Sequence, residues 1–109
     1  MSLERACRVE EIAEDEGLAV TLGGVDIAVA RCGEEVFAVR NECTHQSVPL
    51  TDGEVEGCEI ECFLHGSTFD LRTGKAMCLP ATEPVATFPV EVRDGEVYVD
   101  PTTTLNGAR

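Results

Sequence analysis

Asn41-Glu42-Cys43-Thr44-His45, and then Cys62-Phe63-Leu64-His65-Gly66-Ser67-Thr68-Phe69-Asp70, are the stretches that decide how this chain is read. The motifs Cys43-Thr44-His45 and Cys62-Phe63-Leu64-His65 are separated by 16 residues, and each sets one thiol and one imidazole in a short loop. Two Cys and two His can close a tetrahedral shell around one zinc ion. Zinc patterns, however, usually gather the cysteines in one half and the histidines in the other, whereas both halves here are mixed. A binuclear iron–sulfur centre, with two Cys on one iron and two His on the other, accounts for that mixing. Each loop then gives one ligand to each iron. A lone Cys reads more simply as a small buried apolar residue, but four ligand-type residues in this order do not.

Working outward, the flanking sequence is patterned for strands. Residues 18–22 and 25–31 are apolar, β-branched runs around Gly23-Gly24, a hairpin signal. Residues 35–40 alternate and follow the turn at Cys32-Gly33-Glu34, while Val55 and residues 58–60 and 68–71 give shorter strands. Residues 88–93 and 96–99 flank Asp94-Gly95, a pair suited to a type I′ turn. The N-terminal region offers only a helical turn near residues 9–13. Short strands broken by Gly, Asn and Asp turns predict an all-β fold, an antiparallel sandwich or small barrel. One single domain is expected over residues 1–100, with a frayed tail at 101–109. Within it, residues 41–84 hold four of the six cysteines, both histidines and three of the five prolines. They read as a loop-built subdomain set into a β base.

The 109 residues suit one small domain, in which a metal centre would help to organise a limited core. Acidic residues outnumber basic ones by 21 to 8, for a net charge of −13. Such a surface repels nucleic acid and anionic lipid and favours basic protein patches. No stretch approaches the roughly 20 apolar residues that span a bilayer, and residues 1–16 lack a signal-peptide apolar segment. A cytoplasmic location is expected, without nucleic-acid or membrane partners. That compartment keeps thiols reduced, so Cys7, Cys32, Cys58 and Cys78, which have no paired spacing, read as free thiols.

The two motifs and their flanks resemble the Rieske family, whose pattern is Cys-x-His, a loop of similar length, then Cys-x-x-His. His65-Gly66-Ser67-Thr68-Phe69-Asp70 is similar to the family's continuation, and Leu71-Arg72-Thr73-Gly74-Lys75 to its next turn. Leu79-Pro80-Ala81-Thr82 is similar to the proline loop that covers the cluster. The resemblance extends over roughly residues 36–99. It implies one [2Fe–2S] cluster held by Cys43, His45, Cys62 and His65, with Ser67, Phe69 and Pro80 around it as tuning residues. Respiratory members carry two further loop cysteines that form a disulfide; one of those positions is Val48 here, so that clamp is absent. Where they place a tyrosine hydroxyl on a cluster thiolate, this chain has Phe69, while the hydroxyl at Ser67 is retained. Fewer donors near the sulfurs lower the potential.

Overall, the resemblance is greatest to ferredoxin components of multicomponent aromatic-ring dioxygenases. It implies a monomeric one-electron carrier without a substrate site of its own. Such a carrier takes electrons from a flavin-dependent ferredoxin reductase, itself fed by NAD(P)H, and delivers them to a terminal oxygenase. Both histidines are already assigned, so none remains for a separate oxygen-activating iron. Three other readings stay open on sequence grounds: an accessory Rieske protein of iron–sulfur assembly, a nitrite reductase small subunit, and a structural zinc module.

Overall fold

A computed structural model describes residues 3–44, 47–64, 66–79 and 81–108. Ten strands run β1 (Glu4–Arg8), β2 (Leu18–Leu22), β3 (Val25–Cys32), β4 (Glu35–Arg40), β5 (Val55–Glu56), β6 (Glu59–Glu61), β7 (Thr68–Asp70), β8 (Thr87–Phe88), β9 (Val90–Arg93) and β10 (Glu96–Val99). They form three antiparallel sheets, ordered β1-β10-β9, β2-β3-β4-β8 and β5-β6-β7. The all-β expectation holds, as a sandwich; no closed barrel forms among the described residues.

The sheets stack because β3 is apolar on both faces. Four successive residues, Ile27, Ala28, Val29 and Ala30, are buried, which a half-buried alternating strand would not show. Ile27 and Val29 join Cys7, Ile12, Phe88, Val97 and Val99 in the base core. Ala28 and Ala30 turn the other way, into a second core with Leu50, Val55, Ile60, Phe69 and Leu71. Side chains this small let the β5-β6-β7 layer approach the central sheet closely. The two cores are separate. With each buried Val, Ile or Phe worth about 2 kcal/mol, the base does not depend on the outer layer for its own packing.

Two places depart from the sequence expectation. The single strand expected over residues 88–93 is two, because Pro89 lacks an N–H and cannot continue a ladder. Phe88 pairs with Ala38, and after the proline Val90 pairs with Val99, so the chain changes sheets there. At the N-terminus, a strand that the sequence did not suggest, β1, lies against β10, and the helical turn expected near residues 9–13 follows it as a 3-10 turn, Val9–Glu11. Its charged residues hide the signal: only Cys7 of β1 is fully buried, and a bulge between Arg5 and Cys7 breaks the alternation.

The tail after Pro101 has hydrogen bonds that its sequence does not announce. Asn106 donates to the carbonyls of Thr73 and Val85, and its own side-chain oxygen accepts the Thr87 N–H. It thereby ties the turn that follows β7 of the outer layer to the segment that re-enters the base at β8. An added Cβ at Gly74 would lie 2.2 Å from the Val85 carbonyl oxygen, so only glycine fits this crossing.

Candidate metal centre

The two cysteine loops are closed in the same way. In the first, the Cys43 N–H donates to the Val48 carbonyl at 3.0 Å; in the second, the Cys62 N–H donates to the Ser67 carbonyl at 2.7 Å. Each bond joins a cysteine to the carbonyl five residues on, reversing the chain and leaving the cysteine at the loop's buried end. Both cysteines are only 2% exposed and share one apolar cluster with Leu50, Phe69 and Ala81. In sequence, His45 falls inside the first closure and His65 inside the second. Both histidines, and Pro80, lie outside the described residues.

Neighbouring elements hold these loops in place. The Asn41 side chain bonds reciprocally with Thr51, donating to its hydroxyl and accepting its N–H, both at 3.0 Å. That pair frames the first loop. A third segment, residues 76–84, then ties the two loops together. The Met77 N–H donates to the Thr68 carbonyl at 2.7 Å, the Ala81 N–H donates to the Ser67 hydroxyl at 3.1 Å, and the Thr44 hydroxyl donates to the Glu83 carbonyl at 2.8 Å. Ser67 and Phe69 are fully buried in this region. Thr44, Thr68 and Glu83 carried no sequence signal of their own, since their roles depend on loops that meet only in the fold.

Around the loops, Phe63, Leu64, Met77 and Leu79 are exposed, Leu79 by 76%. In sequence, these four fall on the second cysteine loop and on the segment that ties the two loops together.

The donor set fits an iron–sulfur centre. Thiolates are the form that ligates metal, and the two cysteines, buried in one cluster, each stand in sequence two or three residues before a histidine, the mixed thiolate and imidazole donors that a two-iron centre takes. Among the described residues alone, no three His, Cys, Asp or Glu side chains gather as a metal site; the two histidines stand outside that set.

The Rieske [2Fe–2S] domain family model matches residues 2–89. The chain belongs to the Rieske [2Fe–2S] domain family. As a Rieske protein it carries one [2Fe–2S] cluster. It is 40% identical over 96 residues to the 3-phenylpropionate/cinnamic acid dioxygenase ferredoxin subunit of Escherichia coli K12, covering 87% of this chain and 90% of that protein. Among solved structures, the Sphingomonas yanoikuyae B1 ferredoxin superposes with a TM-score of 0.86 at 39% identity, over 91% of this chain and 98% of that one. A complex of reduced oxygenase and oxidised ferredoxin in carbazole 1,9a-dioxygenase matches with a TM-score of 0.82 at 35% identity, over 89% of this chain and 91% of the matched chain. These relatives are electron-transfer components of dioxygenase systems, not their catalytic subunits.

One sequence expectation is overturned near this site. Cys32 and Cys58, read as free thiols, are joined as a disulfide with their Cα atoms 5.1 Å apart. They lie 26 residues apart in sequence, and only the stacking of the outer layer on β3 brings them together. Cys7 is unpaired and buried, and burial pushes its thiol pKa up. Cys78 is exposed, with its sulfur 3.0 Å from the Thr68 hydroxyl.

Proposed function

We propose that this Rieske protein is a cytoplasmic, monomeric one-electron carrier. In this reading it takes electrons from an NAD(P)H-dependent flavin reductase and passes them singly to a terminal aromatic-ring dioxygenase. Cys43 and Cys62 hold one iron of the cluster, and His45 and His65 the other. The observation that carries the reading is the matched closure of the two cysteine loops, which buries both thiols in one core cluster beneath an exposed apolar rim.

The bound cluster supplies reversible one-electron transfer. The chain's own residues do the rest. The apolar cluster around Cys43 and Cys62 excludes water from the thiolate side. Phe63, Leu64, Met77 and Leu79 offer a small dry contact for a partner that must dock and leave quickly. The ion-paired arginines leave an acidic field that favours a basic partner face.

Purified protein should hold about two irons and two labile sulfides, with a rhombic EPR signal on reduction. His45→Ala and His65→Ala should each lose the cluster while the base, with its separate core, stays folded. Stoichiometric zinc without labile sulfide would refute the central assignment. An unchanged spectrum in either histidine variant would remove that residue from the ligand set.

A further inference from the structure

We propose that Cys32 and Cys58 form a reversible thiol–disulfide clasp that fastens the cluster-bearing layer to the central sheet and governs how firmly the cluster is retained. Cys32 ends β3, and Cys58 occupies the two-residue turn between β5 and β6. The clasp therefore adds a covalent link between the base and the outer layer, a junction otherwise made by packing, by backbone bonds such as Val55 N–H to the Asp15 carbonyl, and by the Arg72–Glu35 ion pair.

Three observations support a role for the pair beyond packing. Cys58 sits at φ +64° in the Gly57-Cys58 turn, a left-handed position that Gly, Asn or Asp ordinarily fills. A cysteine there is costly to the backbone, and its sulfur is what distinguishes it. Both residues are half-buried and border a surface cavity of about 320 Å³, so a small thiol or disulfide can reach them. The Arg72 guanidinium lies 4.0 Å from the Cys32 sulfur, and Arg31 lines the same cavity. Both arginines also lie within ion-pair distance of a glutamate, Arg72 of Glu35 and Arg31 of Glu14, so the sulfur sits in a polar, solvent-reachable setting.

The chemistry balances with a low-molecular-weight disulfide as oxidant. The Cys32 thiolate attacks one sulfur of that disulfide, forming a mixed disulfide and releasing one small thiolate. The Cys58 thiolate, its proton lost to solvent, then attacks the Cys32 sulfur and releases the second. Two electrons pass from the protein thiols to the small disulfide. Excess small thiol reverses both steps.

A route to the cluster is present in the backbone. The Cys58 carbonyl accepts the Leu71 N–H at 2.9 Å. Leu71 follows β7, whose Phe69 packs in the same core cluster as Cys43 and Cys62. Fixing Cys58 to the base thus steadies the strand behind the second cysteine loop.

The effect on the cluster rests on the ligand assignment proposed above; the thiol chemistry does not. Holoprotein would be incubated with excess glutathione or with glutathione disulfide, then alkylated and peptide-mapped, with cluster loss to an iron chelator followed by absorbance. Cys32 and Cys58 should be alkylated together after thiol and protected together after disulfide. Cluster loss should be several-fold slower in the disulfide form, and Cys32→Ser and Cys58→Ser should remain at the fast rate under both conditions. Denaturant midpoints of the two wild-type forms read the clasp even if no cluster were present, and the disulfide form should have the higher midpoint. The proposal is overturned if the pair stays alkylatable after disulfide treatment, if it never opens with thiol, or if cluster loss is equally fast in both forms.

Discussion

The hydroxyl of Ser67 accepts the backbone N–H of Ala81 at 3.1 Å, and both residues are buried. Because the oxygen accepts from Ala81, its own proton remains available to donate. One residue thus positions the covering segment, and we propose that its proton is donated to a cluster sulfur.

Ser67→Ala should therefore lower the reduction potential. A hydrogen bond that favours the reduced cluster by roughly 1 kcal/mol corresponds to about 40 mV for one electron. Cluster content should also fall, since the Ala81 N–H is left buried without its acceptor. Voltammetry at fixed pH, on samples with matched visible spectra, checks the first effect. An unchanged potential would place the Ser67 proton away from the cluster.

Gly53 is required by contact with a neighbouring strand. A Cβ there would stand 1.7 Å from the Glu61 carbonyl oxygen, although φ at −97° is open to any residue. The Gly53→Ala substitution must push the first loop's exit away from β6, one residue before Cys62. Overpacking of this kind costs about 1–3 kcal/mol. Thermal unfolding of the holoprotein should shift down accordingly, with faster cluster loss. A variant with both unchanged would mean that the two segments separate freely.

How much of this was legible in the sequence depends on the range of the cause. The cysteine motifs were readable because ligand spacing is local, and so were the Gly23-Gly24 and Asp94-Gly95 turns, whose positive φ values follow from residue type. The run of buried residues in β3 was visible as an apolar segment, yet nothing local said that it separates two cores. Pro89 could have signalled the change of sheet, since a proline inside a strand pattern argues against an unbroken ladder. The Cys32–Cys58 pair, the Asn106 bridge and the Thr44–Glu83 bond join residues 26, 19 or more, and 39 positions apart. No periodicity or motif carries that information.

The acidic face should matter to encounter rates. Arg5, Arg8, Arg31, Arg40, Arg72 and Arg93 each lie within ion-pair distance of a glutamate, so the net charge of −13 is projected outward largely by the remaining carboxylates. Glu54, Glu56, Glu59 and Glu61 line one cavity on the outer layer, and Glu56 stands directly across the ladder from Glu59. Like charges so placed weaken a strand pair. Glu56→Gln with Glu59→Gln should stabilise the fold by about 0.5 kcal/mol while slowing electron delivery at low salt. The wild-type rate should fall as ionic strength rises toward physiological values. A rate independent of salt, or unaffected by the double substitution, would leave the acidity as a solubility feature.

Phe69→Tyr should act opposite to Ser67→Ala and raise the potential. Phe69 is fully buried, pairs with Ile60 across β6 and β7, and shares the apolar cluster with Cys43 and Cys62. A hydroxyl introduced there has no water to turn to, so it must either find an acceptor or pay the desolvation of an unpaired polar group, about 1–3 kcal/mol. The Cys43 thiolate is the expected acceptor, from the resemblance to relatives that place a tyrosine at this position. Donation to that sulfur favours the reduced cluster, whose added electron increases negative charge on iron and sulfur, and a preference of roughly 1 kcal/mol raises the potential by about 40 mV. If the hydroxyl finds no acceptor, the variant should instead lose stability and cluster content with no gain in potential. Voltammetry together with thermal unfolding separates the two outcomes, and a lower or unchanged potential would show that the ring edge does not face Cys43.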